Sequence, residues 1–153
     1  MNIQIRLAKK TDYESVIRIM SQVQDMHVKW RPDIYKHNDN LLTKDVFEKI
    51  VENDTFYVAE SEGSVVGVLE IVYRHVESPS HVTRDVIFID TMAIDENYRR
   101  LGIGHKMFDF IKVLKQEKNL DGIELQVNAR NIQAKAMYES YGFTEKSINM
   151  ELL

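Results

Sequence analysis

A mostly apolar run at residues 85–94, DVIFIDTMAI, places the strongest constraint on how this chain can fold. Such a run predicts a strand in the middle of a sheet, covered on both faces. It leads into a turn that contains Gly102 and Gly104, and apolar residues then recur at helical spacing as far as about Lys118. We therefore expect a strand, a glycine turn and a helix in direct succession, with further layers packed around them.

The remaining patterns predict an α/β (α+β) fold in the order β-α-α-β-β-β-α-β-α-β. A mixed, mostly antiparallel central sheet flanked by helices is the expected architecture. Further strands are predicted at 2–8, 55–60, 65–75, 122–128 and 143–150. Further helices are predicted from about Asp12 to 28, after Thr43, and at 131–140, with Thr11, Asp12 and Thr43 as candidate caps. The segments 30–42 and 76–84 are predicted to be irregular.

Length, charge and composition exclude several classes of protein. The chain has 153 residues, a formal net charge of -4 and no cysteine. At roughly 100–200 residues per domain, this length predicts one domain over residues 1–153. The absence of cysteine excludes disulfides, thiolate zinc sites and a cysteine nucleophile. The acidic balance, without a basic tract, argues against nucleic-acid binding.

No segment of the sequence predicts membrane association or metal binding. No apolar run approaches the ~18 residues that a membrane span needs, and the N-terminal MNIQIR lacks the apolar core of a signal peptide. We therefore expect a cytoplasmic protein. The five histidines show no metal-ligand spacing, so no metal is expected.

The glycine turn has the composition of an anion site. A helix N-terminus has free N–H groups and a dipole that favours negative charge. Gly102 and Gly104 allow close approach of a ligand, and Arg99 and Arg100 add positive charge. No Gly-Lys-Ser/Thr follows, and Met107 stands where a dinucleotide fingerprint needs its third glycine. The turn therefore predicts a phosphate or pyrophosphate ligand, and these departures argue against ATP or NAD, although a nucleotide-binding oxidoreductase stays as an alternative class.

Two blocks of the sequence together resemble the GCN5-related N-acetyltransferase (GNAT) superfamily. The first is Arg99-x-x-Gly102-x-Gly104 after the strand 89–94. The second is residues 128–143, NARNIQAKAMYESYGF, which resembles the N-x-x-A-x-x-x-Y-x-x-x-G-F pattern of the superfamily. The resemblance implies acetyl-CoA as co-substrate and direct transfer of its acetyl group to an amine.

The resemblance also implies which residues bind acetyl-CoA. Backbone groups of Met92, Ala93 and Ile94 would pair with the pantetheine arm as an extra strand. The turn that would hold the pyrophosphate consists of Arg99, Arg100, Leu101, Gly102, Ile103, Gly104 and His105. Asn131 would hydrogen-bond the pantetheine arm, and Tyr138 would act as general acid beside the thioester sulfur.

The spacing of the second block supports this assignment independently. Asn131, Ala134 and Tyr138 are spaced i, i+3 and i+7, so they lie on one face of a helix, and the small Ala134 leaves room for a ligand. The alternative is that Tyr138 is a core aromatic whose hydroxyl reaches the surface.

Two carboxylates are candidates for the general base that amine acetylation needs. Asp90 interrupts the apolar strand, at a place where many relatives carry Glu. Glu70 lies in the adjoining predicted strand. Either carboxylate needs burial to raise its pKa. The alternatives are that Asp90 pairs with a neighbouring element and that Glu70 belongs to a solvated strand face.

The acceptor site is predicted to lie along the irregular segment 26–38. His27, Trp30 and Tyr35 are its candidate walls, and packing is the alternative role for each of them. A small-molecule amine is the predicted acceptor. The alternatives are a protein N-terminus or lysine, or a non-catalytic acyl-CoA sensor. Homodimerisation is left open, because no apolar stripe identifies an interface.

Overall fold

The computed structural model describes residues 1–153 and contains one five-stranded sheet with helices on both faces. Its strands are β1 (Ile3–Leu7), β2 (Phe56–Ser61), β3 (Ser64–Ser78), β4 (His81–Ile94) and β5 (Gly122–Leu125). Its helices are α1 (Tyr13–Trp30), α2 (Lys44–Val51), α3 (Ile103–Glu117) and α4 (Ile132–Tyr141), and two 3₁₀ turns span Lys10–Asp12 and Glu96–Tyr98.

The sheet has the strand order β1-β2-β3-β4-β5. Neighbouring strands from β1 to β4 are antiparallel, whereas β4 and β5 are parallel and are joined by α3 as the crossover helix. This arrangement confirms the predicted mixed, mostly antiparallel sheet flanked by helices.

Two apolar cores lie on opposite faces of the sheet, because successive strand side chains point to opposite sides. The core under α3 includes Leu69, Ile71, Ile87, Ile103, Met107 and Phe108. The core under α1 and α2 includes Val16, Ile19, Phe47, Val58 and Ala93. The buried strand β4 contributes to both, as its continuous apolar sequence predicts.

The predicted final strand at 143–150 does not form, which corrects the predicted element order. In residues 143–153 the one backbone–backbone hydrogen bond is that of the Phe143 N–H to the Tyr138 carbonyl at 3.0 Å, at the end of α4, and no strand pairing occurs. Side-chain ion pairs hold them instead, from Lys146 to Glu124 at 2.9 Å and from Glu151 to Arg31 at 2.5 Å. An alternating sequence becomes a strand only where it pairs with a neighbouring strand, and this segment does not pair with β5, whose outer edge has no strand partner.

Two other predicted boundaries differ from the structure. The segment 76–84 is the end of a long hairpin rather than irregular, because β3 continues to Ser78 and β4 begins at His81. The strand predicted at 122–128 ends at Leu125, so that its last residues leave the sheet.

Asp12 does not cap α1 as predicted, whereas Thr43 caps α2 by accepting a hydrogen bond from the Val46 N–H at 3.3 Å. The Asp12 carboxylate accepts hydrogen bonds from the Arg6 guanidinium at 2.8 and 3.0 Å and from the Lys9 N–H at 2.7 Å. Burial raises the pKa of Asp12, but these hydrogen bonds lower it further, so that the pKa lies below its ordinary value. Asp12 therefore ties β1 to the start of α1.

We expect Asp12→Asn to lower the free energy of unfolding at pH 7 by about 2–3 kcal/mol, because Arg6 loses its charged partner. A carboxylate with a lowered pKa contributes stability above its unfolded pKa of about 4, and that contribution disappears as the pH falls through the folded pKa. The difference between the wild type and the variant, measured by urea unfolding, should therefore shrink below about pH 4.

The matched control is Asp45→Asn, which changes an exposed carboxylate in the first turn of α2. We expect it to cost less than about 1 kcal/mol. The assigned role of the Arg6–Asp12 pair would be contradicted if the free energy of unfolding differed between the wild type and Asp12→Asn by the same amount at pH 7 and at pH 3.

Candidate active site

A cleft opens where β4 and β5 stop pairing. The parallel ladder joins Val86–Ile89 to Gly122–Leu125 and extends no further. The remaining edge of β4 therefore presents backbone N–H and C=O groups without a strand partner, which an extended ligand can use by adding itself as a strand. A cavity of about 310 Å³ lies at this point.

Four parts of the chain form the wall of this cavity, which we call the cleft cavity. Helix α1 contributes Met20, Val23, Gln24 and His27, and the loop before α2 contributes Leu41. Strand β4 contributes Ile89, Asp90, Thr91 and Met92. The segment from β5 to α4 contributes Leu125, Gln126, Val127, Asn128, Asn131 and Tyr138. The structure thus brings together five predicted site residues, which are His27, Asp90, Met92, Asn131 and Tyr138. Sequence reasoning missed the apolar residues of α1, because their spacing is also that of a core-facing helix.

A β-bulge places two carboxylates next to each other at the cleft. Ile71 pairs with Ile89 and Glu70 with Thr91, so Asp90 is an extra residue in β4. Bulges often occur beside active sites, where they redirect a side chain. Burial raises the pKa of Glu70, and the neighbouring Asp90 carboxylate, which also hydrogen-bonds it, raises it further. Asp90 itself is exposed, and Glu70 is the carboxyl group that holds a proton more readily than it would in water.

Tyr138 lines the cleft cavity and is half-buried. Its ring packs edge-on against Phe108 at 5.7 Å and near Phe143 at 6.0 Å between centroids. Burial raises the pKa of Tyr138 above its ordinary value, so that its hydroxyl is protonated at neutral pH and gives up its proton only to a strong base.

Asn131 caps α4 rather than lying within it, which corrects the predicted helical face of three residues. Its side-chain oxygen accepts a hydrogen bond from the Ala134 N–H at 3.2 Å. The Asn131 side-chain NH₂ remains available for a ligand, and Ala134 is half-buried behind it.

The glycine turn forms the N-terminus of α3. Gly102 has a φ of 81° and Arg100 a φ of 64°, both in the left-handed region. The Lys106 N–H closes the first helical turn on the Gly102 carbonyl at 3.2 Å. The N–H groups before it, from Ile103 to His105, are therefore free to bind an anion.

Four side chains of the turn are exposed and accessible to a large anionic ligand, namely those of Arg99, Arg100, Leu101 and His105. The Arg99 Nε donates to the Ile94 carbonyl at 3.3 Å, while Arg100 and Leu101 are exposed. His105 is exposed and packs edge-on against Tyr141 at 5.5 Å between ring centroids.

Three predicted residues offer only backbone groups to a ligand. The side chain of Ala93 lies in the core under α1 and α2, and that of Ile103 in the core under α3. Gly104 is so close to α4 that an added Cβ would lie 3.1 Å from the Met137 sulfur. These positions are compatible with the backbone roles that the resemblance implies.

An ion pair fixes the start of the turn against α1. Asp95 is buried, pairs with Arg18 and accepts a hydrogen bond from the Asn97 N–H at 3.0 Å. Burial raises the pKa of Asp95, but Arg18 and Asn97 lower it further, to a net value below the ordinary range.

Among the three predicted acceptor residues, His27 contacts both Trp30 and Tyr35, but the three do not line one common cavity. His27 stacks on Tyr35 at 4.8 Å and packs against Trp30 at 5.7 Å between ring centroids. Burial lowers the pKa of His27, so that its imidazole is neutral at pH 7. Trp30 lines a second cavity of about 280 Å³, together with Met26, Arg130, Asn131, Ile132 and Gln133.

Two further findings concern membranes and metals. None of the helices combines the length and apolar character that crossing a bilayer requires. No three His, Asp or Glu side chains come close enough together to hold a metal ion.

Comparison with known sequences shows a family match and several named relatives. The sequence model of the Acetyltransferase (GNAT) family matches residues 20–143. An N-alpha-acetyltransferase of Sulfolobus acidocaldarius is 28% identical over 152 residues, which cover 95% of this chain and 82% of that protein. The [Ribosomal protein bS18]-alanine N-acetyltransferase of Escherichia coli is 30% identical over 69 residues, which cover 45% of this chain and 47% of that protein.

Solved structures show the same fold. A mutant of the BH1408 protein from Bacillus halodurans has a TM-score of 0.87 and 31% identity, with 100% of this chain and 99% of that chain covered. The aminoglycoside N-acetyltransferase AAC(6')-Iy in complex with CoA has a TM-score of 0.76 and 17% identity, with 99% and 94% covered, which is a likeness of fold alone. Since the family model matches most of its length, the chain belongs to the Acetyltransferase (GNAT) family and is an N-acetyltransferase.

Proposed function

We propose that this protein transfers the acetyl group of acetyl-CoA directly to a primary amine in the cleft between β4 and β5. The observation that carries the proposal is that Asp90 and Tyr138, a candidate base and a candidate acid, line one cavity beside the unpaired edge of β4. Structural neighbours that bind CoA share the fold, which supports the choice of co-substrate.

In this proposal the two halves of acetyl-CoA use different parts of the site. The pantetheine arm pairs with the backbone of Met92–Ile94 and receives a hydrogen bond from the Asn131 side-chain NH₂. The pyrophosphate binds at the N-terminus of α3, where free N–H groups and Arg99 and Arg100 compensate its charge. The unpaired backbone and the left-handed turn support this arrangement.

The reaction requires a neutral amine and a proton for the leaving thiolate. The amine nitrogen attacks the thioester carbonyl, an amide bond forms and the C–S bond breaks. One proton of the ammonium group passes to the Asp90–Glu70 pair before the attack, and Tyr138 donates its proton to the CoA sulfur as the C–S bond breaks. The second proton that the nitrogen loses as the amide forms returns to the Tyr138 oxygen. With no cysteine in the chain, the proposed transfer occurs in a ternary complex without an acyl-cysteine intermediate.

The acceptor that we propose first is a small molecule with one amine and an apolar neighbouring group. Met20, Val23 and Leu41 give the cleft cavity an apolar wall, and Asp90 is the one acidic side chain that lines it. A polycationic acceptor would need more negative charge than this wall offers.

A second candidate acceptor is the α-amino group of a polypeptide. The names of the relatives from Sulfolobus acidocaldarius and Escherichia coli favour it. Its chemistry is also less demanding, because deprotonating an α-amine of pKa about 7.7–8.0 at pH 7 costs about 1 kcal/mol, against about 4.6 kcal/mol for a lysine-like amine.

We expect Tyr138→Phe to lower kcat by about 10²–10⁴-fold, the usual contribution of general acid catalysis, while the Kd for CoA stays within about twofold. Thioester consumption across a panel of amines, with calorimetric titration of CoA, measures both. Tyr141→Phe is the matched control, since Tyr141 lies on the same helix with its hydroxyl donating to Asp109 at 2.6 Å. Unchanged turnover in Tyr138→Phe would rule out the acid role.

Wild-type protein that binds acetyl-CoA but consumes none would favour the sensor alternative.

We expect Asp90→Asn to slow acetylation more for amines of high pKa than for amines of low pKa, because only the former depend strongly on a base. Comparing kcat/KM for a lysine-like amine and an α-amine separates this effect from a general loss of binding. In Glu70→Gln the side chain at position 70 can still hydrogen-bond Asp90, but it no longer titrates. The pH profile of kcat should therefore move, while KM changes little. An equal loss for both amines in Asp90→Asn would contradict the base role.

We expect Gly102→Ala to weaken CoA binding about tenfold, because a side chain in the left-handed region costs about 1–2 kcal/mol and the turn relaxes. Gly63→Ala is a close control, since Gly63 has a φ of 82° against 81° for Gly102 and neither has a neighbour within 4 Å of the added Cβ. Both variants should lower Tm by similar amounts, but only Gly102→Ala should raise the Kd for CoA. An unchanged Kd would exclude the turn as the pyrophosphate site.

A further inference from the structure

The second cavity, which we call the distal cavity, adjoins the cleft cavity at Asn131, which lines both. Its other walls are Met26 and Trp30 from α1, and Arg130, Ile132 and Gln133 from the start of α4. Ile132 is 75% exposed and adds an apolar side chain to this wall. The acceptor side of the cleft therefore continues into a partly apolar recess.

Arg130 gives the distal cavity a free positive charge. Its guanidinium forms no ion pair, whereas nearby Arg31 is fully engaged by Asp33 at 2.8 Å and Glu151 at 2.5 Å. Asp33 lies within electrostatic range of Arg130 but forms its hydrogen bond with Arg31, which is the main cause of its lowered pKa, with Arg130 as a minor one. An unpaired guanidinium at the mouth of a cavity is suited to bind a carboxylate.

The distance between the two cavities can be estimated along α1. The cleft cavity is lined by Met20, Val23, Gln24 and His27, and the distal cavity by Met26 and Trp30. The centres of these two sets are four to five helical positions apart, or about 7 Å along the axis. This is the length of about two residues of extended peptide.

We propose that the distal cavity is an acceptor subsite in which Arg130 binds a carboxylate carried by the acceptor about two residues beyond its amine. The inference rests on the proposed function, because it assumes that the amine lies beside Asp90. Trp30 and Ile132 pack against the apolar part of the same segment. The carboxylate comes from an acidic side chain in the second or third residue of a polypeptide, or from the C-terminal carboxylate of a dipeptide-like small molecule.

The test compares matched acceptors that differ only in one carboxylate. Ten-residue peptide amides with Glu or Gln at positions 2 and 3 represent the polypeptide source, and a dipeptide acid and its amide represent the small-molecule source. We expect kcat/KM to be about fivefold to tenfold higher for the acidic member of the preferred pair, chiefly through KM, and the ratio to fall with added salt.

Arg130→Gln is expected to bring that ratio close to 1. Lys29→Gln is the matched control, since it removes one positive charge from an exposed side chain of α1 that lines neither cavity, and it should leave the ratio unchanged. A ratio lost equally in both variants would mean that general charge, rather than the subsite, sets the preference.

Binding without turnover gives a second readout. Trp30 is the only tryptophan of the chain, so intrinsic fluorescence in the presence of CoA reports occupancy of the distal cavity. Acidic peptides should change this fluorescence with a lower Kd than their Gln counterparts. Acetylation of peptides with no acidic preference would overturn the subsite and leave the proposed function intact. Absence of both acetylation and fluorescence change with every probe would overturn both.

Discussion

The unpaired edge of β4 is the constraint on which the rest of the site depends. A central strand normally satisfies its backbone groups on both edges, because buried unpaired groups are costly. Here β3 pairs with β4 as far as Ile94, while β5 stops at Leu125, opposite Ile89. The strand keeps its place because its side chains are packed into cores on both faces. The unpaired backbone can thus remain open to an extended ligand without loss of the sheet.

The bulge and the end of pairing occur at the same place in β4, and this coincidence joins binding to chemistry. Asp90 is the bulged residue and directly follows Ile89, the last residue paired with β5. A carboxylate at that position faces the place where an extended ligand would begin to pair with the strand. Its neighbour Glu70 lies on β3, where it pairs with Thr91 of β4. Both carboxylates are therefore carried by strands of the sheet rather than by a loop.

The features that depend on local sequence were predictable, and those that depend on distant partners were not. The buried strand, the glycine turn and the Thr43 cap follow from residues within a few positions of one another. The prediction of a final strand at 143–150 was wrong because pairing with β5 cannot be read from the segment alone. Asp12 pairs with Arg6 instead of capping α1, and this half-buried partner comes from β1. The bulge at Asp90 is a property of register, which one strand's sequence does not contain.

Helix α1 connects stability to acceptor recognition. Its first half is fixed by Val16 and Ile19, which are fully buried against the sheet, and Arg18 ties it to Asp95 at the start of the glycine turn. Its second half leaves the core, borders the cleft cavity and then reaches the distal cavity at Trp30. Because a helix is stiff over such a length, both acceptor cavities are held in a fixed position relative to the turn. In the proposed function, acceptor length and the position of CoA are therefore both set by one rigid element, so that a change in the packing of α1 would alter both together.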